Sequence, residues 1–292
     1  KILIAENPGV VIQVADKHKA EVKKILEDAG VGYVKIGVPT EERHILATLH
    51  DATYQFGIDY LRDVWYSTSY LLDRKQSMNG CAKKRFENYK QQPLEFVFDK
   101  SFTGKLSQFG LDPNRRTPSG IKAAIIREKG TNGEREMAYM LYLAGFDVKD
   151  VTMTDLISGR ETLEDINMVV YCGGFSNSDV LGSAKGWAGS FLFNPKAKAA
   201  LDNFYAREDT LSLGVCNGCQ LMMELGLITP EDKKKGKMLH KDSHKFESNF
   251  LGVTVPMNRS VMFGSLSGSK LGMWVAQGEG KFSLPYPEDH YN

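Results

Sequence analysis

The stretch LSLGVCNGCQLMM, residues 211–223, has the pattern of a strand that turns sharply into a helix. An apolar run reaches Cys216, and Gly214 and Gly218 lie two positions on either side of it. Glycine has no Cβ, so a strand and a helix can approach closely at such a turn. A nucleophile elbow has this form, and its helix N-terminus favours an anion such as a thiolate. The pattern predicts that Cys216 is a catalytic nucleophile.

Three other interpretations of Cys216 compete with catalysis, and two of them come from its spacing to Cys219. A free cysteine is most often a small buried hydrophobe. A zinc site would need two further ligands, and the sequence has no second pair of cysteines at this spacing. A redox pair is typical of a thioredoxin-like context, which the flanking residues do not resemble. The glycines around Cys216 therefore favour catalysis, and we predict no metal site.

The composition is that of a globular protein and argues against several classes of partner. The 292 residues, 42% hydrophobic and 25% charged, are enough for two domains. A net charge of +1 gives no electrostatic basis for binding nucleic acid or an anionic membrane. No apolar run approaches the ~20 residues of a membrane span. The four cysteines are too few for a disulfide framework, so we expect a cytoplasmic location.

The first part of the sequence predicts a small α+β region and then a linker. Residues 9–38 have a strand–helix–strand pattern, and residues 58–75 have apolar positions at helical spacing that we expect to pack in a core. Glycine and proline punctuate residues 94–120, which we interpret as a linker between residues 1–93 and a second domain. The first residues have neither an initiator methionine nor a signal-peptide layout, so we expect a fragment of a longer chain.

The second domain, residues 121–292, alternates between strand and helix patterns. Such alternation with continuous apolar strands predicts an α/β fold, a flavodoxin-like open parallel sheet with helices on both faces. The predicted strands are residues 122–127, 147–153, 168–172 and 210–215, and the predicted helices include 134–144 and 197–206.

Two glycines follow the strand that ends at Cys172. In open α/β sheets, sites form at the carboxyl ends of the strands, so Gly173 and Gly174 should lie near Cys216. Alone, these glycines would indicate a tight turn. Beside a cysteine elbow, their N–H groups and that of Asn217 could bind the oxyanion of a tetrahedral intermediate.

Several motifs together support a family resemblance. They are GVCNGCQ at 214–220, REKGTNGEREM at 127–137, CGGFS at 172–176, GWA at 186–188 and WVAQGEG at 274–280. These motifs resemble those of class I (triad-type) glutamine amidotransferases, and CNGCQ resembles the phosphoribosylformylglycinamidine synthase family of purine biosynthesis. Residues 1–93 resemble the end of an aminoimidazole-ribonucleotide-synthetase-like domain.

The resemblance implies a role for each site residue. Cys216 would attack the side-chain amide of glutamine and form a glutamyl thioester, with the N–H groups of Gly174 and Asn217 holding the oxyanion. Glutamine itself would be bound with the help of Gly173, Phe175 and Gln220. Two further residues, Arg127 and Asn132, and the loop 176–179 would orient these parts.

The resemblance also implies partners and cofactors. The ammonia released from glutamine would pass to a synthetase domain of the same long chain. That domain would use ATP and Mg²⁺ to convert formylglycinamide ribonucleotide to its amidine. We expect no cofactor in these 292 residues themselves.

The sequence departs from the family pattern at three points. Asn177-Ser178 stands where Tyr-Gly is expected, and Gln277 stands where histidine is common. The His-Pro-Glu motif that supplies the family's base and acid is missing, so we expect an amidotransferase domain that is incomplete at its C-terminus. His240 and His244 are the remaining candidates for the base. A thiol without a partner base lacks a proton shuttle, so we expect little glutaminase activity from these residues alone.

Two rival functions remain open at this stage. The same fold could serve as a non-catalytic interaction module that only binds partners. A related cysteine hydrolase with the same elbow could cleave other amides or peptides.

Overall fold

The computed structural model describes residues 8–91 and 94–291. The described residues divide into two compact units, one up to Trp65 and one from Tyr66 onward. No described helix combines the length and the apolar character that crossing a membrane requires.

The first unit contains a helix, a hairpin and the start of a second helix. A short 3-10 turn, Asp16–His18, leads into helix α1, Lys19–Asp28, at the position predicted for a helix. Strand β1, His44–Leu49, pairs antiparallel with strand β2, Ala52–Gly57, and the sequence did not predict this hairpin. Helix α2, Ile58–Gln76, follows, and the unit boundary falls within it.

The strands predicted at the two ends of residues 9–38 are wrong. No described residue in either segment belongs to a strand, and Val10 and Val34 are 88% and 78% exposed. Strand propensity mostly measures how well side chains pack on a pleated, half-buried surface. Without a pairing partner, the β-branched composition of these segments does not produce a strand.

The predicted core face of α2 is also wrong. Leu71 and Leu72 are 55% and 60% exposed, whereas the one residue of α2 that is buried is Asp73. Helix α3, Cys81–Glu87, and a 3-10 turn, Tyr89–Gln91, follow α2. Helical spacing identifies an apolar stripe but not the residues that would pack against it. In α2 the buried contacts are ion pairs of Asp73.

The predicted α/β domain is confirmed. Four strands form one parallel sheet, and helices separate them along the chain. The elements are β3 (Lys122–Arg127), β4 (Thr131–Asn132), α4 (Glu134–Leu143), β5 (Asp147–Thr152), α5 (Met153–Ser158), β6 (Met168–Tyr171), β7 (Gly173–Gly174), α6 (Lys185–Leu192), α7 (Pro195–Tyr205), β8 (Leu211–Gly214) and α8 (Asn217–Leu225). The order of the strands in the parallel sheet is β5-β3-β6-β8.

The sheet has an apolar core on each face, which explains its continuous apolar strands. Successive side chains of a strand point to opposite faces, so Ile125 and Ile126 of β3 enter different cores. One core contains Trp187, Phe191 and other side chains of α5–α8. The other core packs Leu141 of α4 against the sheet.

Antiparallel strands complete the second unit. They are β9 (Lys237–Leu239), β10 (Glu247–Thr254), β11 (Lys270–Gln277) and β12 (Lys281–Ser283), paired as β10 with β11 and β9 with β12. Val97, within the predicted linker 94–120, exchanges backbone hydrogen bonds of 2.9 and 3.0 Å with Lys270. The beginning of that segment is therefore attached to β11.

The turn between β8 and α8 depends on close contact of the two backbones. A Cβ on Gly218, the second residue of α8, would lie 2.1 Å from the carbonyl oxygen of Tyr171 in β6. A Cβ on Gly214 would lie 2.6 Å from the carbonyl oxygen of Gly218. Only glycine allows this approach.

We predict that Gly218→Ala lowers the free energy of unfolding by about 3 kcal/mol, because the new methyl group meets backbone that cannot move aside. Gly189→Ala is the matched control, since a Cβ there would meet Phe193 at an ordinary 3.7 Å. The control should stabilise helix α6 by about 0.5–1 kcal/mol. Urea denaturation followed by circular dichroism measures both, and equal effects would contradict the assigned contact.

Candidate active site

Cys216 occupies the sharpest point of the turn. Its φ of 53° and ψ of −108° are unusual for a residue with a side chain, and α8 begins at the next residue. Such strained backbone persists only where the surrounding structure holds it, commonly at functional sites. The Cys216 thiol donates a hydrogen bond of 3.2 Å to the carbonyl oxygen of Ala276 in β11.

The thiol opens on a cavity of about 240 Å³. Three other residues predicted for the site, Gly174, Phe175 and Gln220, line the same cavity. Gly173 lies beside it, where an added Cβ would be 3.2 Å from the Cβ of Cys216. The rest of the lining is Asp179, Gly182, Phe246, Gln277, Gly278 and Glu279.

The buried side chain of Asn217 joins the two loops of the site. Its Oδ1 accepts a hydrogen bond of 3.0 Å from the backbone N–H of Ser176. Its Nδ2 donates to both carboxylate oxygens of Asp179 at 3.1 Å and to Oε1 of Gln220 at 2.8 Å. The family resemblance implies a role for the backbone N–H alone, which lies in the first turn of α8 with no acceptor inside the helix. No local sequence pattern indicates the role of the side chain.

Gln220 links α8 to the opposite wall of the cavity. Its Nε2 donates to the carbonyl oxygen of Glu279 at 2.9 Å and to Oε1 of Gln277 at 3.2 Å. Gln277, which stands where the family commonly has histidine, is thus a hydrogen-bond partner in the cavity wall. An amide at this position cannot act as a base.

Gly174 needs to be glycine for two reasons. Its φ is 112°, and a Cβ would lie 2.6 Å from the carbonyl oxygen of Gly130. Strand β4 pairs with β7 here, placing Asn132 opposite Gly173. Arg127, the other residue predicted to orient the site, forms an ion pair with Asp150 of β5.

The loop after Phe175 is held in left-handed backbone. Asn177, Ser178 and Asp179 have φ of 50°, 57° and 45°. Non-glycine residues adopt this region at a cost of about 1–2 kcal/mol each. The resemblance leads us to expect glycine where Ser178 stands, and the backbone found there is the one that favours glycine.

Glu279 fixes another part of the cavity wall. One carboxylate oxygen accepts hydrogen bonds from the N–H and hydroxyl of Ser183 at 2.6 and 2.9 Å. The other lies 3.4 Å from Nε2 of His240, whose ring stacks on His244 at 5.6 Å between centroids. Neither histidine is among the described residues that line the cavity.

Burial changes the titration of groups around the cavity. It raises the pKa of Asp179, although a hydrogen bond from Asn217 partly offsets the effect. Burial raises the pKa of Cys172 to about 11 and also raises that of Cys219. Both of these cysteines are therefore poor nucleophiles at neutral pH.

The geometry and the sequence match define the class of protein. Residues 120–291 match the model of the CobB/CobQ-like glutamine amidotransferase domain, and the chain belongs to this family. The resemblance to the phosphoribosylformylglycinamidine synthase family is also confirmed. The chain is 35% identical to phosphoribosylformylglycinamidine synthase of Drosophila melanogaster over 97% of its own length and 21% of the fly protein.

Two further relatives carry the same name. The human phosphoribosylformylglycinamidine synthase is 36% identical over 98% of this chain and 22% of the human protein. The Arabidopsis thaliana relative, a "probable phosphoribosylformylglycinamidine synthase, chloroplastic/mitochondrial", is 36% identical over 97% of this chain and 20% of the plant protein. The chain spans about a fifth of the length of the curated relatives it matches.

We predict that Ser178→Gly raises the free energy of unfolding by about 0.5 kcal/mol. Relief of the left-handed strain outweighs the added freedom of glycine in the unfolded chain. Ser190→Gly makes the same change inside helix α6 and should lower that free energy by about 0.5 kcal/mol. Thermal and urea denaturation test the pair, and destabilisation by both changes would refute the strain argument.

We predict that Asp179→Asn gains stability relative to the parent as pH rises from below the ordinary aspartate pKa to above the raised pKa of Asp179. A raised pKa means that the folded state holds this proton more tightly than the unfolded state. The parent therefore loses stability as pH rises from the ordinary aspartate value of 3.8 through the raised one, and asparagine removes that loss.

Asp209→Asn is a control in which the relative stability should change with pH in the opposite direction. A hydrogen bond from Arg207 lowers the pKa of Asp209, so this carboxylate stabilises the fold above its ordinary pKa. Asp209→Asn should therefore lose stability relative to the parent over the same rise in pH. Urea denaturation at a series of pH values measures both slopes, and slopes of the same sign would rule out the assignment for Asp179.

Proposed function

We propose that this chain carries the glutaminase step of a phosphoribosylformylglycinamidine synthase. The single observation that carries the proposal is the position of Cys216 at a strained elbow, facing the cavity lined by Gly174 and Gln220. The Cys216 sulfur attacks the side-chain carbonyl carbon of glutamine. Ammonia leaves, and water then hydrolyses the glutamyl thioester to release glutamate.

Backbone donors stabilise the negative charge that develops on the glutamine oxygen. In this proposal the N–H groups of Gly174 and Asn217 bind the oxyanion, and Gly173, Phe175 and Gln220 help to bind glutamine. The support is geometric, because Gly174 and Asn217 are fixed by backbone pairing and by a buried side chain before substrate arrives. Preorganised donors of this kind make no reorganisation necessary during the reaction.

Proton transfer is the step of the proposed reaction that the described cavity residues assist least. None of the described residues that line the cavity is a histidine, and the thiol is bonded to a carbonyl oxygen. General acid–base catalysis contributes about 10²–10⁴-fold to such reactions. We therefore propose that these residues by themselves bind glutamine but release ammonia from it slowly, because the leaving nitrogen must gain a proton as the thioester forms.

The released ammonia serves a synthetase domain of a longer chain. The names of the relatives, and their about fivefold greater length, support this part of the proposal. That domain would use ATP and Mg²⁺ to convert formylglycinamide ribonucleotide to the amidine in purine biosynthesis. We propose a cytoplasmic location, although the plant relative's name places that protein in organelles.

We predict that a diazoketone analogue of glutamine labels Cys216 covalently and with saturation kinetics. Cys216→Ser should abolish labelling at this position, whereas Cys219→Ser should retain it, because burial raises the pKa of the Cys219 thiol. Peptide mass spectrometry locates the label. In a full-length synthase carrying this domain, Cys216→Ala should abolish glutamine-dependent synthesis and leave ammonia-dependent synthesis intact.

Other outcomes of this experiment point to the rival functions. Absence of saturable labelling would support a non-catalytic interaction module with the same fold. Equal labelling by analogues of other amides or of peptides would support a different cysteine hydrolase. Equal loss of glutamine- and ammonia-dependent synthesis in Cys216→Ala would contradict the role assigned to this residue.

A further inference from the structure

Residues 240–247, here called the cavity loop, contribute Phe246 to the wall of the proposed glutamine cavity. Phe246 lines the cavity, and its ring lies 5.9 Å from that of Phe175 between centroids. The N–H of Lys241 donates to the carbonyl oxygen of Gly278 at 3.2 Å. The contacts that hold the cavity loop therefore affect the position of Phe246 in the cavity wall.

The segment between helices α2 and α3 holds the middle of the cavity loop. The backbone N–H of Met78 donates to the carbonyl oxygen of Ser243 at 2.9 Å. The side-chain amide of Asn79 donates to the carbonyl oxygen of Asp242 at 2.8 Å. Ser243 is 2% exposed, so the loop is packed as well as hydrogen-bonded at this point.

A charged cluster holds the end of the same loop. The guanidinium of Arg85 in α3 donates to Asp73 in α2 and to Glu247, the first residue of β10. Lys245 donates to Asp73 at 2.5 Å, and Lys241 lies 3.6 Å from the second carboxylate oxygen of Glu247. We call Asp73, Arg85, Lys241, Lys245 and Glu247 the charge cluster.

The cluster is enclosed and therefore sensitive to the loss of any member. The side chains of Asp73, Glu247 and Arg85 are 10%, 18% and 25% exposed. Burial by itself raises the pKa of Asp73, but hydrogen bonds from Lys245, Ser77 and Arg85 outweigh it and leave this pKa below its usual range. Removing Arg85 would leave two enclosed carboxylates without their shared partner, which is strongly unfavourable.

The charge cluster connects the cavity to helices outside the matched amidotransferase domain. Helices α2 and α3 precede residues 120–291, yet they contact the loop that carries Phe246. We propose that Asp73, Arg85 and Glu247 are positioning residues that fix the cavity loop and so set the affinity of the site for glutamine. This inference rests on the proposed glutaminase function.

The test compares selective with unselective labelling of Cys216. Arg85→Met should raise the concentration of the diazoketone analogue that gives half-maximal labelling by roughly tenfold, because a displaced wall misplaces the bound ligand. The rate of alkylation by iodoacetamide, which needs no shaped cavity, should change less than about twofold. Hydrogen exchange should show faster opening of the backbone amides in the cavity loop.

A matched control separates positioning from general destabilisation. Arg115 forms a similarly enclosed ion pair with Asp147, at 2.8 Å, away from the residues that line the cavity. Arg115→Met should lower thermal stability but leave selective labelling unchanged. Arg85→Lys keeps the positive charge, but an ammonium is less able than the guanidinium fork to bind two carboxylates. This variant should therefore lose less affinity than Arg85→Met.

The outcomes distinguish the two proposals. Failure of the parent chain to be labelled would contradict the glutaminase function itself. Saturable labelling that responds equally to Arg85→Met and Arg115→Met, or to neither, would overturn the positioning role alone. Loss of affinity in Arg85→Met and Arg85→Lys, with Arg115→Met unaffected, would support it.

Discussion

The site depends on the hydrogen bonds made by the buried side-chain amide of Asn217. It connects the loop after β6 to helix α8 through Ser176, Asp179 and Gln220. A buried polar side chain is stable only when its donors and acceptors are satisfied, so this network has few alternative arrangements. The nucleophile Cys216 and the donor Gly174, proposed to act on the carbon and the oxygen of one carbonyl group, follow different strands, and the Asn217 side chain links the two loops that carry them.

The two sides of the cavity come from different parts of the fold. The parallel sheet places Gly174 and Cys216 side by side, because the strands that precede them are neighbours in register. The opposite wall comes from β11 and the cavity loop, which are attached through Gln220, Ser183 and the charge cluster. Helices that precede the amidotransferase domain thus contribute to the shape of its proposed binding site.

The electrostatic environment of the cavity is acidic. Asp179 and Glu279 both line it, and each is held by hydrogen bonds from neutral groups, namely Asn217 and Ser183. The neighbouring thiols of Cys172 and Cys219 are kept protonated by burial. Cys216, the cysteine proposed to react, differs from these two in its strained backbone and in its contact with the carbonyl oxygen of Ala276.

The sequence by itself determined the parallel α/β domain, the elbow at Cys216 and the proximity of Gly174, because apolar strands, helix patterns and glycines act over short stretches. It failed for the strands near Val10 and Val34 and for the exposed face of α2, since propensity does not reveal a pairing or packing partner. Only the tertiary structure decided the side-chain role of Asn217, the cavity wall at Glu279 and the ion pairs of Arg85. Each of these joins residues far apart in the chain, and no local pattern encodes such a contact.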